Sequence, residues 1–183
     1  MLSIAHYFTN ADASVPNALA DRDSITVYTD GACVLNGKRN AYGGIGIYCE
    51  NTGAQYSQKL TYQSFAAPVT NNVCEMYAIA VAIDRYAKTG VSLTVVTDSQ
   101  YCYNVFTKWA AGWKAKGWTK ADKKPIQNLP LIQNIHAKTL RYSISFRHCN
   151  SHRIEPQNRS TLAYRTWYGN DQADKLASAA MHS

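Results

Sequence analysis

Ile25-Thr26-Val27-Tyr28-Thr29-Asp30-Gly31-Ala32-Cys33 alternates apolar and polar residues and is rich in β-formers, which predicts a strand ending near Asp30 and Gly31. Working outward, Asn36-Gly37 marks a turn, and residues 42 to 49 and 54 to 61 give two further strands. Their short connection, Glu50 to Gly53, suits an antiparallel hairpin. Residues 72 to 88 carry Met76, Ile79, Ala80, Ala82, Ile83 and Ala87 at helical spacing, and Gly90 stops the run. A short apolar strand at 93 to 97 leads straight into Asp98. Helical pieces follow from 99 to about 116, interrupted by Gly112 and Gly117, and again beyond Pro125 and Pro130 to about 138. A strand at 142 to 148 and a terminal helix from Asn170 to about Met181 complete the order. Strands followed by alternating helix and strand predict an α/β fold, a mixed sheet with helices against it. Residues 1–24 show no sustained period around Pro16 and read as a tail or linker, which leaves 25–183 as one globular domain.

The 183 residues carry a net charge of +7, and residues 108 to 124 hold six lysines against Asp122, so the excess is local. Clustered lysines can replace the counterions condensed on a phosphate backbone, which points to an acidic partner. The five cysteines (33, 49, 74, 102 and 149) are odd in number and form no C-x-x-C pair. That predicts free thiols in a reducing, intracellular compartment, cytoplasmic or nuclear. The N-terminus lacks a basic segment followed by a long apolar run, and no stretch of about 18 apolar residues occurs, so neither secretion nor a membrane partner is expected.

Four acids stand out. Asp30 and Asp98 each follow an apolar strand, and each has an ordinary alternative as a turn opener or helix N-cap. What separates them from caps is equivalent placement at the ends of two strands that would be parallel neighbours, where open sheets build their sites. Glu75 could close a capping box begun by Asn72. It nevertheless shares a helix face with Ala78, Ile79 and Ala82, and an acid on a packed face needs a partner. In the last helix, Asp171 falls in the expected first turn, where the helix dipole favours any acid. Asp174 lies a turn further in and is taken as the fourth acid. Converging carboxylates would repel one another and take up protons unless a cation neutralised them. An all-oxygen set suits Mg²⁺, with Mn²⁺ as a substitute, and a pair of ions roughly 3.5 to 4 Å apart suits in-line attack at phosphorus.

Tyr28-Thr29-Asp30-Gly31-Ala32-Cys33, Thr70-Asn71-Asn72-Val73-Cys74-Glu75 and Thr97-Asp98-Ser99-Gln100-Tyr101 stand in order and at fitting spacing. On these motifs the chain from about Ile25 to Ala180 resembles ribonuclease H, specifically the cellular type 1 form. Lys108 to Asn128, with Trp109, Trp113, Trp118 and Ala121-Asp122-Lys123-Lys124-Pro125, is similar to that family's basic protrusion. The resemblance implies a ribonuclease H-like fold, a five-stranded mixed sheet flanked by helices. It also implies hydrolysis of the RNA strand of RNA/DNA hybrids by a two-metal-ion mechanism, leaving 5′-phosphate and 3′-hydroxyl ends. Asp30, Glu75, Asp98 and Asp174 match the four metal-binding acids, which hold two ions when substrate is present. His152 matches a loop histidine that assists proton movement or product release; His148 competes with it but falls inside the predicted strand. Asn36, Asn71, Asn72 and Gln100, with backbone groups near Gly31 and Cys33, match positions that contact sugars and base edges. Thr70 and Asn128 match positions that hold a DNA phosphate, although Pro68 stands where an arginine would help. One departure is the segment after His152, where Ser151 replaces a glycine and about sixteen residues, Arg153 to Tyr168, precede Gly169. It is expected to be a loop insertion that adds nucleic-acid contact or covers the site.

Physics supports hybrid recognition independently. An enzyme that cuts only RNA must sense the 2′-hydroxyl, through the minor groove of the duplex. Trp109 and Trp113, four apart on a helix, could be an ordinary apolar patch. Bracketed by lysines, they instead suit flat contact with a DNA strand whose phosphates the lysines meet. The expected protein is a monomeric hybrid endonuclease with little base specificity. An alternative is a noncatalytic hybrid-binding module of a larger replication or retroelement assembly. A related-fold enzyme acting on DNA would explain the acids but not the Trp-Lys protrusion.

Overall fold

Strand β1 (Ser24–Val34) is the spine of the computed structural model, which describes residues 23–65, 68–151 and 153–183. Around it stand β2 (Tyr42–Cys49), β3 (Gln55–Leu60), β4 (Ser92–Thr97) and β5 (Ile144–His148), in the sheet order β3-β2-β1-β4-β5. The first three strands pair antiparallel, whereas β1, β4 and β5 pair parallel, so the expected five-stranded mixed sheet is present. The helices are α1 (Tyr62–Phe65), α2 (Asn71–Tyr86), α3 (Gln100–Asn104), α4 (Ala110–Ala115), α5 (Leu129–Arg141) and α6 (Leu162–Ala180). Val105–Trp109 forms a π-turn that joins α3 to α4. No helix among the described residues is long and apolar enough to cross a membrane.

Alternation along β1 assigns its two faces. Ile25 and Val27 join the core built with Met76, Ile79 and Ile83 of α2, whereas Tyr28 joins Val96, Cys149 and Ala173 beneath α6. Each of those fully buried aliphatic side chains contributes roughly 1.5 to 3 kcal/mol. The sheet is thereby covered on both sides, and the site lies at its open end.

Strand β1 does not stop at Asp30 and Gly31. Its parallel pairing with β4 ends at Thr29 and Thr97, but its antiparallel pairing with β2 continues to Val34 and Tyr42. Asp30 therefore sits where one neighbour has ended and the other carries on. Gly112 likewise does not interrupt its helix: the position is open to solvent and α4 passes through it, at a cost of about 1 kcal/mol relative to alanine.

The largest correction concerns the supposed loop insertion. Helix α6 begins at Leu162, eight residues before the expected start, because the Thr161 hydroxyl caps it by accepting from the Tyr164 N–H at 3.1 Å. Gly169 is an internal residue of that helix and not its boundary. A Cβ there would lie 2.3 Å from the Tyr28 ring, so glycine is what lets α6 cross the sheet at this height. The reading of 1–24 as a tail lies, up to residue 22, outside the described residues.

Candidate active site

Two glycines decide how closely the acids approach. A Cβ on Gly31 would lie 2.3 Å from backbone atoms of Cys74 and Glu75, so only glycine lets α2 ride against β1 and carry Glu75 to Asp30. On the opposite face, Gly46 is paired with Asp30, and a Cβ there would lie 2.0 Å from the Ala173 carbonyl oxygen. Helix α6 thus lies directly on β2, and the residue after Ala173 is Asp174. Neither Glu75 nor Asp98 is occupied as a cap. Thr70 caps α2 by accepting from the Val73 N–H at 3.2 Å, so the capping role considered for Asn72 and Glu75 is already filled. Ser99 caps α3 by accepting from Cys102 N–H, which leaves the Asp98 carboxylate free of that role.

Carboxylate oxygens of Asp30, Glu75 and Asp98 lie within 4.8 Å of one another. Asp30 and Glu75 are 7% and 8% exposed. Burial, and then the charges of Asp98 and Asp174, push the Asp30 carboxyl up to about 7. Burial likewise drives Glu75 well above the usual carboxylate range, with Asp30 and Asp98 adding to it. The Gly31 backbone opposes both shifts by hydrogen bonding to these acids. Asp174 stands outside the tight triangle but shares with Asp98 a cleft of about 70 Å³. Asp171 is in mid-helix, not the first turn, and Lys175 holds its carboxylate at 2.7 Å.

The donors are all carboxylate oxygens, and Oε2 of Glu75 is buried without a hydrogen-bond partner among the described residues. An orphaned buried acid oxygen beside two more acids is costly alone and suited to a hard divalent cation. The residues present therefore fit the expected metal, with Asp30, Glu75 and Asp98 as its nearest ligands and Asp174 beside them.

One residue of this site escaped the sequence reading. Buried Asn170 donates from Nδ2 to Oδ2 of Asp98 at 3.3 Å and accepts from the Cys149 thiol at 3.3 Å. Its signal was its position four residues before Asp174, on the same helix face. His148 also borders the site: its Nε2 lies 3.1 Å from the Asp98 carbonyl oxygen, and its ring meets Tyr103. His152 lies outside the described residues.

A separate cleft of about 510 Å³ gathers Asn36, Thr70, Asn71, Asn72, Gln127 and Asn128. The Asn36 side chain accepts from the Asn71 N–H at 3.0 Å, and Asn128 takes a left-handed backbone at φ 57° to enter α5. Five sequence-expected substrate contacts thus share one cleft, together with Gln127, which had not been singled out. Gln100 is engaged with Asn104 at 3.2 Å, and half-buried Cys33 donates to the Val69 carbonyl at 3.5 Å.

Beyond this cleft the protrusion owes its surface to the π-turn. Buried positions along this run are Cys102, Val105 and Ala110, a step of three followed by a step of five. In a regular helix the residue four after Val105, Trp109, would face the core. The wider turn, closed by the Ala110 N–H on the Val105 carbonyl, gives that place to Ala110 and leaves Trp109 38% exposed. Trp109 and Trp113 stand with ring centroids 5.8 Å apart, as their spacing predicted. Trp118 turns away and packs edge-on against His136 of α5.

The RNase H family profile matches residues 22–182. Among curated proteins, the chain is 36% identical over 154 residues to "Ribonuclease H" of Maricaulis maris, covering 84% of this chain and 91% of the relative. It is 33% identical over 159 residues to "Ribonuclease H" of Cupriavidus necator, covering 87% and 96%. Among solved structures, the PFV RNase H domain superposes with a TM-score of 0.65 at 23% identity, covering 86% of this chain and 94% of that one. LC9-RNase H1, described as a type 1 RNase H with the type 2 active-site motif, gives 0.64 at 21% identity, covering 88% and 73%. Those two structures support the fold, while the profile and the curated relatives carry the family assignment. With its glycine-set acids on a mixed sheet and its matched length, the chain belongs to the RNase H family.

Proposed function

We propose that this protein is an endonuclease that hydrolyses the RNA strand of RNA/DNA hybrids at the cluster of Asp30, Glu75 and Asp98, with Asp174 beside it. The observation that carries this reading is the convergence of three carboxylates, one with a buried and unpartnered oxygen, at the end of the parallel strands. Ribonuclease H relatives matched over most of their length support it. The catalytic domain is read as residues 25–183. All five cysteines are free thiols, which supports a reducing, intracellular setting.

Mg²⁺ or Mn²⁺, two ions with substrate, would be held by these four acids and would supply Lewis acidity and a water nucleophile at neutral pH. The chain's own groups do the positioning. Asn170 fixes the Asp98 carboxylate from one side, and the Asp98 backbone is met by His148. Gly31 keeps Glu75 against Asp30, so the geometry is set before substrate arrives. The cleft of Asn36, Asn71 and Asn72 offers amides for 2′-hydroxyls and base edges, and Thr70 with Asn128 offers polar groups for a DNA phosphate. The exposed Trp109 ring and neighbouring lysines suit the uncut strand. In-line attack at phosphorus with departure of the 3′-oxygen leaves 5′-phosphate and 3′-hydroxyl ends.

The test is cleavage of matched hybrid, duplex DNA and duplex RNA, with and without Mg²⁺, followed by labelling of the product ends. Cleavage of the hybrid's RNA strand alone, and only with the ion, is expected. Binding of the hybrid without any metal-dependent cleavage would overturn the catalytic reading.

A further inference from the structure

A pocket of about 410 Å³ opens between β5 and the segment leading into α6, with Arg147, His148, Asn150, Arg153 and Trp167 in its walls. Three of these, Asn150, Arg153 and Trp167, also line the cleft of Asp98 and Asp174, so the two cavities adjoin. The Trp167 indole donates from Nε1 to the Arg153 carbonyl at 2.9 Å, which joins loop and helix into one rim.

Charge changes sign from one cavity to the other, with Arg153 standing at the border between them. Among the described residues, Arg159 and Arg165 are matched by Glu155 and Glu50, while neither Arg147 nor Arg153 is ion-paired with a carboxylate. The acid cleft attracts cations, and the neighbouring pocket, with two such guanidiniums and an imidazole, attracts an anion. A polynucleotide places one phosphate after another along its chain. A strand whose cleaved linkage lies at the acids must send its next phosphate to one side or the other of them. Arginine supplies bidentate donors for phosphate, and an indole supplies a flat face for a sugar or base.

Resting on the hybrid-cleavage reading above, we infer that this pocket is a subsite for the cut strand, in which Arg153 holds the phosphate flanking the cleaved linkage. Arg147 adds positive charge behind it, and Trp167 faces the attached nucleoside. The segment expected to be an insertion is then a second wall of the substrate channel, opposite in role to the Trp109 ledge.

The experiment compares wild type, Arg153→Ala and Arg153→Lys on hybrids with one fixed cleavage position, their RNA strand shortened stepwise from either end. On long hybrids Arg153→Ala is expected to raise KM roughly tenfold, the loss appearing in KM rather than kcat. The slope of log affinity against log salt, measured in EDTA, should fall by about 1, and Arg153→Lys should restore it. Once shortening removes the flanking nucleotide on the relevant side, wild type should drop to the variant's level. Equal behaviour of wild type and Arg153→Ala on every hybrid overturns the subsite, as does a difference that survives shortening from both ends. Should wild type cleave no hybrid, the reaction assignment fails, and the salt slopes alone still decide the subsite.

Discussion

The acid cluster and the lysine-bearing protrusion are built under opposite rules. At the cluster, Asp30 and Glu75 are nearly inaccessible and a single added carbon at Gly31 or Gly46 would strike backbone. On the protrusion, Lys108, Lys114, Lys116, Lys123 and Lys124 are exposed, and a Cβ at Gly112 would meet nothing within 4 Å. Position is therefore dictated to fractions of an ångström in one region and left loose in the other. Buried charges interact strongly and depend on each neighbour, whereas exposed charges act through solvent and are individually replaceable.

The sharpest way to break this contrast is Asp98→Asn. Hybrid cleavage is expected to fall on the order of a thousandfold, while hybrid affinity, set mainly elsewhere, changes little in a filter-binding or anisotropy titration. Comparable losses in both would mean that reaction and grip are not separable.

Next in size is a pH effect confined to the cluster. Folded without divalent ions, Asp30 keeps its proton up to about pH 7, against an ordinary value of 3.8. A carboxyl raised in this way stabilises the fold fully below the unfolded value, and that contribution is lost as pH rises toward 7. In EDTA, denaturant unfolding should show stability falling between pH 4 and 7, by at most roughly 4 kcal/mol from this group. Asp30→Asn should make the curve shallower, Glu75 keeping its own share of the slope, and Mg²⁺ at pH 8 should recover stability in wild type. A flat wild-type profile in EDTA would remove the picture of crowded, protonated acids.

The protrusion predicts smaller and graded effects. Trp109→Ala is expected to weaken hybrid binding by roughly 1 kcal/mol, the low end of base–aromatic stacking, because its ring is only partly exposed. Lys114→Ala should do less at moderate salt and lower the salt slope of binding by about 1. If Lys114→Ala matched Asp98→Asn in its effect on turnover, the division between the two regions would be wrong.

Much of the sheet was legible because its pattern is local. Residues 42 to 49 lie between the turn signals at Asn36-Gly37 and Glu50 to Gly53, 93 to 97 are a short apolar run before an acid, and both became strands within a residue of expectation. The acids were legible through their strand ends and their place on a packed helix face. What was hidden depends on distant contacts. Gly169 looks like a helix boundary until the Tyr28 ring is placed against it. Asn170 looks like the start of a helix until Asp98 arrives from β4. The π-turn was invisible because its evidence is the buried step from Val105 to Ala110, which sequence alone does not mark.

That wide turn carries a consequence for how such a protein can change. Removing one residue from between Val105 and Ala110 would restore regular winding and put Ala110 four residues after Val105, still in its core position. The helix beyond would keep its direction, and every strand and acid would stay where it is. A single codon can therefore be gained or lost in this turn without turning the surface that the helix carries, and without touching the acids that are built elsewhere.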